Sequence, residues 1–180
     1  MAPLVGVLAL QGDFEAHSRV LATLGARSRE IRVRADLDGL DALVLPGGES
    51  TTMTLGIERE GLRDPLCELC GSVPVLGTCA GMIMLDRDHL GVLDMRCERN
   101  AFGRQVRSFE GDVALRGFEE PFHAIFIRAP WVAEHNHGIE VLGDVDGHPI
   151  AVTRDGILAV SFHPELEPDD RLHRWLLRQL

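Results

Sequence analysis

Val73-Pro74-Val75-Leu76-Gly77-Thr78-Cys79-Ala80-Gly81-Met82 is the stretch that decides the fold. It opens on Val73, Val75 and Leu76, an apolar, largely β-branched run of the kind buried on both faces of a parallel sheet. Met82-Ile83-Met84-Leu85 then reads as the apolar face of an entering helix. Between them lies Gly77-x-Cys79-x-Gly81, the cysteine form of the G-x-S-x-G elbow, which presents a nucleophile on a sharp strand-to-helix turn. The turn demands small neighbours, and Gly77, Ala80 and Gly81 meet that demand. A cysteine at the first turn of a helix also feels the positive dipole end, which favours thiolate over thiol. An inert buried cysteine is the plainer alternative. The glycine spacing, joined to the strand-to-helix switch, marks Cys79 as the nucleophile.

Outward from the elbow, strands and helices alternate. Pro3 to Gln11 reads as a central strand, and Gly12-Asp13 turns into a helix with Asp13 as N-cap. Phe14, His17, Val20, Leu21 and Leu24 are spaced for one face of that helix, and Gly25 closes it. Glu30 to Arg34 alternates like an exposed strand, and Asp41 to Leu45 is the next buried one, running into Pro46-Gly47-Gly48-Glu49-Ser50. Helices are expected from about Thr51 and from Pro65 to Cys70. In the second half, Val106 to Leu115 reads as antiparallel β structure, and Phe122 to Arg128 as a strand halted by Ala129-Pro130. Short strands at Glu140–Leu142 and Ile150–Thr153, a last strand at Gly156–Phe162 and a closing amphipathic helix from Asp169 to Leu180 complete the pattern. The expected architecture is α/β, three layers with a mostly parallel, mixed central sheet between helices, in one domain over residues 1–180.

Composition narrows the function. The net charge is −10 with no basic block, which argues against nucleic acid or an anionic membrane surface as partner. No apolar run approaches the roughly 18 residues a membrane span needs. Leu4 to Leu10 lacks a preceding basic segment and reads as a strand, not a signal peptide. All 18 basic residues are arginine, so no lysine is present to form a Schiff base or to hold a phosphate in a Walker loop. Cysteines at 67, 70, 79 and 97 suit reduced thiols in the cytoplasm better than a disulfide framework.

A thiolate nucleophile needs a base, and the base an orienting group. Phe162-His163-Pro164-Glu165, just past the last strand, supplies both. Proline keeps His163 extended, so that the Glu165 carboxylate can brace the imidazole. In open α/β sheets functional groups gather at the carboxyl ends of strands, where Cys79 and His163 both fall. The Pro46-Gly47-Gly48 loop lies at another such end. Its backbone N–H groups, from Gly47 and Gly48, could share an oxyanion hole with the N–H of Ala80. The flanking glycines would let the Gly47–Gly48 peptide flip at little cost, which offers a gate on that hole. Cys67-x-x-Cys70 fits one buried helix face, and Glu134-His135-Asn136-His137 a solvated loop; neither is read as a metal site, and no cofactor is expected.

Taken together, Pro46-Gly47-Gly48-Glu49-Ser50-Thr51, the Gly77–Gly81 elbow and Ser161-Phe162-His163-Pro164-Glu165 resemble a class I (triad-type) glutamine amidotransferase of flavodoxin-like fold. Leu8-Ala9-Leu10-Gln11-Gly12, Arg99-Asn100-Ala101-Phe102-Gly103-Arg104-Gln105 and Phe126-Ile127-Arg128-Ala129-Pro130 resemble, more narrowly, the glutaminase subunits of pyridoxal phosphate synthase. The resemblance implies hydrolysis of L-glutamine to glutamate and ammonia through a cysteine thioester. It implies delivery of that ammonia, in a hetero-oligomer, to a synthase (lyase) subunit that builds pyridoxal phosphate from a pentose phosphate and a triose phosphate. By the same resemblance Cys79 is nucleophile, His163 base and Glu165 its orienter, while Gly47, Gly48, Glu49, Arg99, Ile127 and Arg128 hold glutamine. Charge agrees: a zwitterionic substrate needs a cation such as Arg99 and an anion such as Glu49. The alternatives are a stand-alone thiol hydrolase of similar fold, the glutaminase subunit of another amidotransferase, or a catalytically silent binding subunit, against which the intact C…H-x-E set argues.

Overall fold

The computed structural model describes residues 1–102 and 108–180. Its centre is a seven-stranded sheet in the order β2-β1-β3-β4-β11-β10-β9. Five strands are mutually parallel: β2 (Arg27–Ile31), β1 (Leu4–Leu8), β3 (Ala42–Leu45), β4 (Val75–Thr78) and β11 (Ile157–Val160). β10 (His148–Arg154) then pairs antiparallel with β11, and β9 (Glu140–Val145) antiparallel with β10. The expected mixed, mostly parallel sheet is therefore present.

Alternation along the central strands sends side chains into two separate cores. Leu43 and Leu45 point to one face, with Met53, Ile57 and Leu66 from α2 (Ser50–Arg59) and α3 (Arg63–Cys70) and with Met82 and Leu85 from α4 (Ala80–Leu85). Ala42 and Val44 point to the other, with Leu21 of α1 (Phe14–Thr23) and Leu172 and Leu176 of α5 (Arg171–Arg178). Phe122 and Phe126 of β7 (Phe122–Ile127) join this second core, carried by a ribbon in which β6 (Ser108–Val113) pairs antiparallel with β7. At about 25 cal/mol per Å² of apolar surface, two such layers supply the bulk of the stabilisation. No helix among the described residues is long and apolar enough to cross a membrane.

Two local expectations are corrected, and a third is met in position only. The exposed strand falls at Arg27–Ile31, not Glu30–Arg34, because the Asp36 carboxylate accepts the backbone N–H groups of Arg32 and Val33, both at 2.9 Å, and folds 34–37 into a 3₁₀ turn. Glu134 and His135 lie in a strand, β8 (Trp131–His135), which pairs antiparallel with β5 (Met95–Glu98). Their side chains face solvent, where Glu134 receives Arg96 at 2.7 Å, so the segment looked like a loop. Finally, Asp13 sits at the N-cap of α1 but its side chain makes no capping hydrogen bond. Within the Arg99–Gln105 segment, Gly103, Arg104 and Gln105 lie outside the described residues.

Candidate active site

The elbow forms where β4 ends and α4 begins. Cys79 takes φ 48° and ψ −106°, a left-handed conformation costly for a side chain other than glycine. Its surroundings enforce it: the Cys79 N–H donates to Val160 O at 2.8 Å, and its carbonyl accepts the Met82 N–H at 3.1 Å, starting the helix. Gly81 has no alternative, because a Cβ there would run into the carbonyl of Leu45 on the neighbouring strand. All six residues of α4 are buried, so this short helix is fixed from every side. The Cys79 thiol donates to Ile127 O at 3.8 Å.

β11 lies beside β4 in parallel register, Val160 opposite Thr78, so the chain leaving β11 passes the elbow. The His163 N–H is tied to Ile125 O at 3.0 Å, and His163 Nδ1 lies 2.7 Å from Glu165 Oε1. The contact is made by a one-turn 3₁₀ helix over Pro164–Leu166 that folds the carboxylate back, not by extended chain. The Asp13 carboxylate approaches the same nitrogen at 3.6 Å. With Nδ1 engaged, Nε2 is the ring nitrogen left for the thiol. Burial disfavours the imidazolium, but hydrogen bonds with Cys79 and Glu165, and their charges, outweigh it and push the His163 pKa up to about 10.

In the glycine loop, Gly47 packs so close to His163 that a Cβ would collide with the imidazole ring. Gly47 O accepts the Asp13 N–H at 3.1 Å. In a trans peptide the Gly48 N–H points the opposite way from that carbonyl. A flip would therefore break a backbone hydrogen bond worth about 1 kcal/mol. The Glu49 N–H donates to Gln11 Oε1 at 2.5 Å, fixing the loop to the end of β1.

A cavity of about 240 Å³ opens over these groups. Of the expected site residues, Gly48, Glu49, Cys79, Ala80, Arg99, Ile127, Arg128 and His163 line it, while Gly47 packs between the His163 ring and Cys79 and Glu165 stands behind His163. Asn100 and Arg128 both take left-handed backbone at its rim, with φ 49° and 45°. Glu49 also caps α2, accepting the N–H of Thr52 at 2.8 Å and of Thr51 at 3.2 Å. Those bonds, Thr52 first, draw its pKa down to about 2. Arg99 reaches Glu49 at 3.4 Å and Thr51 Oγ1 at 3.2 Å, so the two charges expected to hold a zwitterion lie side by side.

Sequence reasoning missed several groups here. Gln11, Asp13, Ser50, Ile83 and Asn100 also line the cavity, although Gln11, Ser50 and Asn100 belonged to segments already singled out. Behind Glu165 a fully buried polar cluster, His17, Thr78 and His173, fills space that helix periodicity assigns to apolar side chains. Among the described residues, Asp13, His163 and Glu165 are the one group whose ligand atoms converge enough to hold a metal ion, within 4.8 Å of one another. All the chemistry available here otherwise is that of a thiol beside a braced imidazole: attack on a carbonyl carbon and transfer of a proton.

Comparison with known proteins points the same way. The sequence profile of the SNO glutamine amidotransferase family matches residues 7–180. The chain is 48% identical over 184 residues to a protein of Mycobacteroides abscessus named pyridoxal 5'-phosphate synthase subunit PdxT, covering 97% of this chain and 95% of that one. It is 49% identical to a protein of the same name from Parafrankia sp., covering 96% and 91%. A solved structure described as a glutamine amidotransferase superposes with a TM-score of 0.92 at 45% identity, covering 97% of each chain. A putative GMP synthase subunit from Thermoplasma acidophilum, at 19% identity and a TM-score of 0.72, shares the fold.

Proposed function

The chain belongs to the SNO glutamine amidotransferase family, and from that premise we propose that residues 1–180 form one glutaminase domain, the ammonia-supplying subunit of a pyridoxal 5'-phosphate synthase. The observation that carries the reading is the strained Cys79 beside a His163 whose other nitrogen is held 2.7 Å from Glu165. Relatives bearing the synthase-subunit name at nearly full coverage support the biosynthetic assignment.

The chemistry follows from those groups. Cys79 Sγ, as thiolate, attacks the side-chain amide carbon of L-glutamine, and the N–H groups of Ala80 and of the Gly47–Gly48 loop take the developing oxyanion. His163 passes its proton to the departing nitrogen, releasing ammonia and leaving a γ-glutamyl thioester on Cys79. His163 then takes a proton from water, which attacks the thioester, and glutamate leaves with the thiolate restored. Arg99 faces the substrate carboxylate and Glu49 its ammonium, exchanging their mutual contact for the zwitterion; Ile127 and Arg128 close the pocket with backbone. The synthase (lyase) subunit binds in a hetero-oligomer and receives the ammonia. Four unpaired thiols fit the reducing cytoplasm as the site of action.

We infer further that the partner raises turnover by favouring the orientation of the Gly47–Gly48 peptide whose N–H faces the oxyanion, since losing one such donor costs about 10²–10³ in rate. Glutamate production, followed while a cognate synthase subunit is titrated in, tests both points. The expected result is a rise on titration for the native chain and none for Cys79→Ala. Native-like turnover by Cys79→Ala contradicts the function, and full turnover without partner contradicts the gate.

A further inference from the structure

We propose that His17 is a positioning residue for the triad, its Nε2–H directed at the outer oxygen of Glu165 and its tautomer fixed by His173. The inference rests on the triad reading given above and extends it by two residues that no part of the substrate pocket touches. The Glu165 side chain is fully buried, and its two oxygens have different neighbours. Oε1 takes His163 Nδ1. Oε2 has no in-line hydrogen bond, and the group it faces is His17 Nε2, at 3.3 Å. The same nitrogen is hydrogen-bonded to Thr78 Oγ1 at 3.2 Å, on the residue preceding the nucleophile, so His17 Nε2 lies between the carboxylate and the nucleophile strand.

Proton placement follows from elementary chemistry. An ionised carboxylate only accepts, so a neutral imidazole facing it has to carry its proton on the facing nitrogen. His17 is neutral: burial first, then the neighbouring His173 and His163, hold its pKa well below the ordinary value. With the proton on Nε2, Nδ1 is an acceptor, and it lies 2.8 Å from His173 Nε2, which therefore carries the His173 proton. His173 Nδ1 is then a bare lone pair, and it is one of the few buried side-chain atoms without a partner. The opposite assignment would bury an unpaired N–H at that atom and aim a lone pair at the carboxylate, two costs in place of one. His173 thus donates to His17, and His17 faces Glu165, which also accepts from His163 on its other oxygen, so that α5 and α1 are joined to the triad. The titratable groups facing His17 are Glu165, His163 and His173, with Asp170 acting on His173 from the start of α5, and the Asp13 carboxylate faces His163 Nδ1 beside Glu165 at 3.6 Å.

Without the His17 N–H beside it, Glu165 Oε2 faces no positive dipole in a dry site, and the carboxylate grips His163 less firmly. Its hold on His163 then fails at a higher pH than in the native chain. The test is glutamate release by the complex with a cognate synthase subunit, recorded against pH and glutamine concentration. His17→Asn keeps reach toward His173 but puts no donor at Glu165, whereas His17→Gln carries an N–H to the Nε2 position. His17→Asn is expected to lower kcat about tenfold to hundredfold, less than the loss of a triad member itself. KM should stay within about twofold and the acid limb of kcat should move up by about half a unit or more, with His17→Gln restoring most of both. Equal losses in the two variants with an unmoved acid limb, or no loss in either, would overturn the proposal in favour of simple packing. If His17→Asn does not fold, His173→Phe, which removes the donor that fixes the tautomer, should move the acid limb the same way by less; an unmoved limb overturns it. Glu165→Gln separates the two levels: full turnover there sinks the triad itself, while full turnover confined to the His17 variants sinks only this extension.

Discussion

The two sides of His163 are built on opposite principles. In front, toward the cavity, Arg99 and Glu49 pair at 3.4 Å with side chains 48% and 38% exposed. Behind, Glu165 and His17 meet with side chains 0% exposed. An exposed pair is worth about 0–1 kcal/mol and is readily exchanged for another partner. A buried charge that loses its partner costs several times that. The front is therefore suited to let substrate in and product out, and the back to hold one geometry through every turnover.

If that contrast is right, substitutions behind the imidazole strike turnover and those in front strike affinity. The largest effect is expected for Glu165→Gln, which turns a buried acceptor pair into a mismatched amide: kcat should fall about 10²-fold or more with little change in KM. Steady-state glutamate release measures this, and a pure KM effect would break the contrast.

A second expectation concerns pH and stability. Burial lowers the pKa of His17 and pushes that of His173 down to about 4. The unfolded chain takes up protons at both as pH falls through about 6.5, while the folded chain does not. Their contribution is therefore complete above that pH and is lost below it, by at most about 1.4 kcal/mol per pH unit for each until His173 itself titrates. His163 acts in the other window: its raised pKa gives stability present below about 6.5 and lost as pH rises toward about 10. Urea midpoints from pH 7 to pH 5 should fall, and His173→Gln should flatten the fall. An unchanged slope in that variant would mean the buried ring is not held neutral.

The smallest effect lies in front. Arg99→Gln should leave the urea midpoint nearly unmoved, within about 0.5 kcal/mol, and raise the KM for glutamine roughly tenfold at similar kcat. A fall in kcat alone would reassign Arg99 to chemistry or to partner contact.

What the sequence disclosed follows the same division. The elbow was legible because its constraints are local: Gly81 must be glycine for the Leu45 carbonyl to pass, and that requirement shows as spacing. His163 and Glu165 were legible for the same reason, being two residues apart and 2.7 Å apart in space. The strand at Trp131–His135 was hidden by outward-facing polar side chains, and the edge strand was displaced by an Asp36 turn with only a side-chain signature. Glu49 read only as an anion for the substrate, because nothing in the sequence shows its bonds to Thr51 and Thr52. His17 and His173 are 156 residues apart and occupy apolar positions of two helices. Only the tertiary packing joins them to Glu165.

The central claim is a glutamyl thioester on Cys79, and acid quenching during turnover tests it most directly. The complex with a cognate synthase subunit is mixed with radiolabelled glutamine, stopped in acid and digested, and the peptides are identified by mass. The account predicts label on the peptide bearing Cys79, discharged by hydroxylamine and absent from Cys79→Ala, with Cys67, Cys70 and Cys97 unlabelled. Glutamate formed at the native rate with no labelled peptide, or with label on another cysteine, would contradict it.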